Sequence, residues 1–164
     1  PTSGSDHIQL ITAKGQAIRF KETDVRDMGR NATGVYGIRL HKDDAVVGMG
    51  VAKTDKDKKR HYQILIIMAK GYGKRTDLSL YKVQRRGGSG IKTAKVTDKT
   101  GDITNAFLVN ADVMENRDLI IISNNGQVIR TPFKTVSTLG RDTQGVRIMR
   151  FKDDEDRVSG VTWI

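Results

Sequence analysis

A seven-residue run, Gln84-Arg85-Arg86-Gly87-Gly88-Ser89-Gly90, carries the side chains and backbone freedom that a phosphate group demands. Adjacent arginines offer planar, permanently charged forks that match phosphate oxygens. Glycines let the chain take up positive φ and let a bulky anion approach main-chain N–H groups. Gln84 can donate to a phosphate or sugar oxygen without adding charge. Lys70, Lys74, Arg75, Lys82, Lys92, Lys95 and Lys99 surround the run in sequence. On a strand beginning at Gly90, Lys92 alternates with Ile91 and Thr93, so its ammonium is expected to face away from the core. The bland alternative is a glycine-rich turn whose arginines form a solvated rim.

Charge favours the first reading. Residues 1–51 carry 7 basic and 6 acidic side chains, residues 52–100 carry 14 and 4, and residues 101–164 carry 8 and 9. The formal net charge of +10 therefore sits on the middle third. Such an asymmetry points to a polyanionic partner on one sector of the surface. An aromatic content of 5% argues against a stacking platform for single strands.

The run is set in a threefold repeat. Aligned on Gly15, Gly71 and Gly126, each copy has arginine four residues on (Arg19, Arg75, Arg130) and again at fifteen (Arg30, Arg86, Arg141). At nineteen there is glycine (Gly34, Gly90, Gly145), followed by Val35, Ile91 or Val146. Each copy opens with a short apolar strand candidate: Ile8 to Thr12, Ile64 to Met68, and Leu119 to Ile122. A repeat of this length signals a solenoid, propeller or array. Short β-branched runs bounded by Gly, Asn and Asp select β structure, and Asn125-Gly126 reads as a two-residue type I′ hairpin. A second strand pair, such as Gly145 to Phe151 and Arg157 to Ile164 joined by a solvated acidic turn at 153–156, gives about four strands per repeat. The expected fold is all-β, propeller-like, with three blades at 7–61, 62–116 and 117–164. Residues 1–6 read as a linker or cloning scar. The arginines at Arg19, Arg75 and Arg130 have a second reading, as braces against the next blade.

Other chemistry finds little support. There is no cysteine for a disulfide or a thiolate zinc site. His7, His41 and His61 are scattered without metal spacing, and His61 reads as part of a solvated turn. No G-x-x-x-x-G-K-[ST] loop occurs. Tyr36, Tyr62, Tyr72 and Tyr81 lie in strand or hairpin contexts, so no catalytic nucleophile, metal or cofactor is assigned. The longest apolar run, Ile64 to Ala69, is far short of a membrane span.

The run Gln84–Gly90 resembles the box Q-R-R-G-G-K-G of the C-terminal domain of the bacterial DNA gyrase A subunit. Lys14-Gly15-Gln16-Ala17-Ile18-Arg19-Phe20, Gly71-Tyr72-Gly73-Lys74-Arg75-Thr76 and Gly140-Arg141-Asp142-Thr143-Gln144-Gly145-Val146 are similar to blades of the same domain. Ser89 replaces the usual lysine, and the box falls in the second repeat rather than the first blade. The three copies thus look most like the last three blades of the ring. The resemblance implies a β-pinwheel, normally six-bladed, whose basic rim wraps duplex DNA so that an ATP-dependent type IIA topoisomerase introduces negative supercoils. It implies as partners double-stranded DNA, the remaining gyrase A domains and the gyrase B subunit, in the bacterial cytoplasm. Carried onto this chain, the DNA-binding residues are Gln84, Arg85, Arg86, Gly87, Gly88, Gly90, Lys74, Arg75, Lys92, Lys95, Arg30 and Arg141. Three blades leave room for a homodimer completing a six-bladed ring. Alternatives are the C-terminal domain of the topoisomerase IV A subunit, or a propeller platform docking an acidic protein partner.

Overall fold

A computed structural model describes residues 1–54 and 60–164. Eleven strands follow in order among them: β1 (His7–Thr12), β2 (Gln16–Lys21), β3 (Val46–Ala52), β4 (Tyr62–Met68), β5 (Tyr72–Asp77), β6 (Ile91–Lys92), β7 (Ile103–Asn110), β8 (Asp118–Ser123), β9 (Val128–Pro132), β10 (Val146–Arg147) and β11 (Val158–Trp163). They form three antiparallel sheets with orders β3-β1-β2-β6, β10-β5-β4-β7 and β11-β8-β9. The three apolar runs read from the sequence lie within β1, β4 and β8.

The sequence repeat is not the blade in space. Residue order pairs Gly145 to Phe151 with Arg157 to Ile164, but β10 instead pairs with β5 of the preceding repeat, Val146 opposite Gly73 and Arg147 opposite Tyr72. Likewise β6 leaves its own repeat and pairs with β2, Ile91 opposite Ala17 and Lys92 opposite Gln16. The glycine before each donated strand is the physical cause. Gly90 and Gly145 sit at φ +75° and +77°, and a Cβ on them would lie 2.5 Å from the Ala17 carbonyl and 2.6 Å from the Gly73 carbonyl. Only glycine lets the chain reach over the neighbouring blade this closely.

The hairpin turns also differ from expectation. Gly126 has positive φ but Asn125 does not, which excludes type I′. The Gly126 N–H donates to the Ser123 carbonyl and the Ser123 N–H to the Gln127 carbonyl, a three-residue loop ending in a left-handed glycine. The acidic turn is not wholly solvated either. Asp156 is buried and accepts from the Asn125 and Arg157 backbone N–H groups, which tie the turn to the hairpin. His61 places Nε2 within hydrogen-bond reach of the Asp77 carboxylate, so it is a partnered residue rather than a free turn residue.

Packing explains why the apolar run is longest in the middle. Ile64, Ile66 and Met68 of β4 face the first blade, and Leu65 and Ile67 face the third. With both faces covered, alternation disappears from the sequence. The strand β7 packs against β3 on one side and β11 on the other, where the inner edges of the sheets meet. There Gly48 and Gly50 meet Ala106 and Leu108 with no space for a Cβ, and Phe107 meets Trp163 edge-on at 5.2 Å. The strands β6 and β10 occupy the opposite edge of their sheets, so the box that leads into β6 lies on the outer perimeter.

Candidate nucleic-acid interface

The box is laid across the first blade by a set of backbone bonds. Val83 bridges Arg19, and the Gln84 N–H donates to the Arg19 carbonyl at 2.7 Å. The Gly87 N–H donates to the Gly37 carbonyl at 2.9 Å, while the Gly88 carbonyl accepts the Arg39 N–H at 2.9 Å. Arg86 donates from Nε to the Asp24 carbonyl at 2.9 Å and from Nη1 to the Tyr36 carbonyl. A groove lined by Tyr36, Ile38, Arg39, Leu40 and Gly87 runs beside it.

The twelve residues expected to form the interface separate into distinct groups. Arg85, Lys92, Lys95 and Arg30 are exposed. Arg85 makes no hydrogen bond or ion pair among the described residues, so its whole fork is available. Lys92 lies 3.5 Å from the Asp142 carboxylate, a solvent-screened pair. Arg86 and Arg141 are half-buried and partly committed, Arg141 donating from Nη1 to the Lys92 carbonyl at 2.9 Å. Arg30 stands on an exposed loop of the first repeat.

Four of those expectations need correction. Lys74 is fully buried, and its Nζ donates to the Gly140 carbonyl (2.7 Å), the Arg141 carbonyl (2.6 Å) and Thr143 Oγ1 (3.0 Å). Burial pushes its ammonium down to about 8. It cannot touch a phosphate; it organises the third repeat's counterpart of the box. Arg75 is the brace of the alternative reading. It donates to the Val136 carbonyl at 2.7 Å and the Lys134 carbonyl at 3.4 Å, with its guanidinium 4.5 Å over the Phe133 ring. Gln84 buries its side-chain nitrogen instead of offering it outward. The glycines, finally, do not all present free amides: Gly87 spends its N–H on Gly37, and Gly90 is required for contact with Ala17. At Gly87 and Gly88 a Cβ would meet only ordinary contacts, nothing closer than 3.5 and 3.7 Å.

Arg39 and Arg150 were not among the expected residues, because they belong to the repeats on either side of the box. Twenty-four residues beyond the turn glycines stand Arg39, Lys95 and Arg150, all basic and all exposed. The Lys95 N–H donates to the Thr143 carbonyl at 3.0 Å, just as Arg39 does to Gly88, its equivalent in the next repeat. Each junction thus sets one repeat's exposed cation beside the following repeat's arginine loop. The first junction gathers Arg39, Arg85 and Arg86, and the second gathers Lys92, Lys95 and Arg141. Asp142, standing where the box has Gly87, makes the second less positive. The periodic basic position was visible in the alignment, but its proximity to the box was not, because it depends on the strand exchange. Among the described residues no cluster of His, Asp or Glu could hold a metal.

The model of the DNA gyrase C-terminal domain, beta-propeller, matches residues 6–53, 63–110 and 117–162. The chain belongs to that family. It is 40% identical over 154 residues to the DNA gyrase A subunit of Staphylococcus aureus and 38% identical over 155 residues to that of Ureaplasma parvum. Both alignments cover 94% of this chain but only 16% and 17% of those proteins. Among solved structures, a DNA gyrase A C-terminal domain superposes with a TM-score of 0.79 at 26% identity, over 96% of this chain and 50% of that one. A DNA topoisomerase IV C-terminal domain superposes with a TM-score of 0.83 at 17% identity, over 98% of this chain and 47% of that one, a likeness of fold. The family's three matched segments fall on the three repeats. Among the described residues no helix is long and apolar enough to cross a membrane.

Proposed function

We propose that this chain binds and bends duplex DNA along its outer perimeter, without reading base sequence, as part of the C-terminal domain of a gyrase A subunit. In that role it serves negative supercoiling by a cytoplasmic holoenzyme built with the remaining gyrase A domains and gyrase B. The observation that carries the reading is the repetition of exposed cations at the blade junctions, Arg39 with Arg85 at the first and Lys95 with Lys92 at the second. Spaced by one blade, they form a track for a phosphate backbone rather than a pocket for a small anion. Neutralising phosphates releases condensed counterions, which supplies affinity independent of sequence. Bending a 20–30 base-pair segment by 40–90° costs on the order of 1–6 kcal/mol, so one junction alone is insufficient and adjacent junctions must act together.

The test is a salt titration with duplexes of unrelated sequence. Log affinity should fall linearly with log salt and be indifferent to sequence. Replacing Arg39, Arg85 and Lys95 together by alanine should reduce the slope by roughly 2 to 3, about 0.9 per lost phosphate contact. A slope unchanged by the triple replacement refutes the track. Ser89 in the box favours a second reading, the corresponding domain of topoisomerase IV; the handedness of supercoils trapped on a closed plasmid separates the two.

A further inference from the structure

Two exposed cations gather about one buried phenol at the outer edge of the second blade. Tyr72 opens β5, where the first and third repeats have Gln16 and Gln127, and it is only 5% exposed. Arg147, carried over from the third repeat on β10, lies opposite Tyr72 in the sheet. Its Nη2 donates to the Tyr72 hydroxyl at 2.8 Å, and its guanidinium carbon stands 4.9 Å from the ring centre. Lys99 reaches the same ring from the loop after β6, with Nζ 5.7 Å from the centre. That loop is fixed to the β4–β5 turn. The Lys70 N–H donates to the Thr100 carbonyl at 2.9 Å, and the Thr97 N–H to Thr100 Oγ1 at 3.0 Å. The Arg147 hydrogen bond, helped by the charges of Arg147 and Lys99, holds the phenol below its usual range. Each cation is attracted to the ring, yet the two repel each other. Among the described residues neither forms an ion pair with Asp or Glu. Lys92, the counterpart of Arg147 at the first junction, by contrast has Asp142 at 3.5 Å.

We propose that Arg147 and Lys99, set by Tyr72, form a phosphate site outside the box and its counterpart loops, occupied by the backbone of bound duplex. Arg147 commits Nη2 to the phenol and keeps Nε and Nη1 for phosphate oxygens, while Lys99 adds a mobile point charge. A phosphodiester between them supplies the negative charge that no side chain provides. Tyr72 is a positioning residue: its hydroxyl fixes the fork of Arg147 in one direction. The strand β10 is the outermost of its sheet, and Arg147 lies four residues past Thr143, whose carbonyl takes the Lys95 N–H. Four extended residues span at most roughly 14 Å, so the site prolongs the second junction along the perimeter. Cations exposed on such an edge suit a polymer backbone better than an enclosed small anion. A duplex as occupant rests on the binding role proposed above; the gathering of two cations about one phenol does not.

Fluorotyrosine incorporated into the intact protein gives Tyr72 a fluorine NMR resonance, assigned by its loss in Tyr72→Phe. Saturation with a mixed-sequence duplex should shift that resonance, and Arg147→Ala should abolish the shift. A general loss of positive charge elsewhere on the rim would not move it. Arg147→Ala and Lys99→Ala should each make the salt dependence of duplex binding shallower by about 0.9. Tyr72→Phe should weaken binding roughly two- to fivefold with the slope unchanged, because both charges stay while the fork loses its anchor. Each variant should keep the native β circular-dichroism signal, since the cations are exposed and phenylalanine retains the buried ring. A stationary Tyr72 resonance in protein that binds duplex, or an unchanged slope in both alanine variants, overturns the site and leaves the junction track standing. Inorganic pyrophosphate is the second probe. A Tyr72 shift with pyrophosphate but none with duplex overturns the duplex as occupant, whereas failure of the duplex to bind at all refutes the proposed function itself.

Discussion

The adjacent arginines of the box are chemically identical, yet their surroundings assign them different work, and replacing them singly tests this. The Arg86 guanidinium donates to two carbonyls of the first blade, Asp24 and Tyr36, and so ties the second repeat to the first. A hydrogen bond from a charged group contributes about 1.5–3 kcal/mol net; at a half-exposed site the pair together should contribute about 1–3 kcal/mol. For a protein of this length each kcal/mol moves Tm by about 2–4 °C, so Arg86→Ala should lower Tm by roughly 3–10 °C. Arg86→Lys should destabilise almost as much, because one ammonium cannot fork between two carbonyls, but it should keep the salt dependence of DNA binding. Arg85 makes no hydrogen bond or ion pair among the described residues and should change stability by no more than about 0.5 kcal/mol when cut to alanine. Its loss should appear in the salt titration, as a slope shallower by about 0.9. Differential scanning calorimetry and fluorescence anisotropy on the same samples decide the matter. If Arg85→Ala costs as much thermal stability as Arg86→Ala, or leaves the slope untouched, the division of labour is wrong.

Other expectations follow from the same geometry. Lys74 has its native ammonium lowered to about 8 against 10.5 when exposed. Between those values the unfolded chain holds a proton that the native one has released, so stability rises with pH. The margin of the native protein over Lys74→Met should therefore widen by on the order of 1–3 kcal/mol from pH 8 to 10.5 and stay constant below pH 8, as denaturant titrations at each pH will show. Gly90→Ala combines a positive φ with a Cβ 2.5 Å from a carbonyl and should cost more than about 2 kcal/mol, against about 1 for Gly126→Ala, whose turn is open; paired chemical denaturation curves compare them. Arg75→Ala should unlock the second and third blades, losing about 2–4 kcal/mol and raising hydrogen exchange at the backbone bond between Arg75 and Ser137. In DNA binding it should retain a salt slope close to that of the native chain.

The repeat, the β character and the uneven charge were all legible in the residue order, because each is a local property. A turn glycine, a β-branched run and an excess of lysine and arginine act on their own stretch of chain whatever packs against them. The box could be found for the same reason. What one Arg or Lys does within it was not legible. Arg75 and Arg85 look alike on paper, and Lys74 stands in a cationic run, but exposure is decided by the neighbour that arrives from another repeat.

That arrival is a tertiary event. Gly90 and Gly145 carry their strands across to the blade before, the Gly140–Thr143 loop seals Lys74, and the Val136 and Lys134 carbonyls turn Arg75 inward. Sequence by itself determined which stretches become strands and where positive charge accumulates, since backbone preference and formal charge belong to residues. Only the folded chain decided which charges meet water, because solvation depends on contacts between segments roughly fifty residues apart.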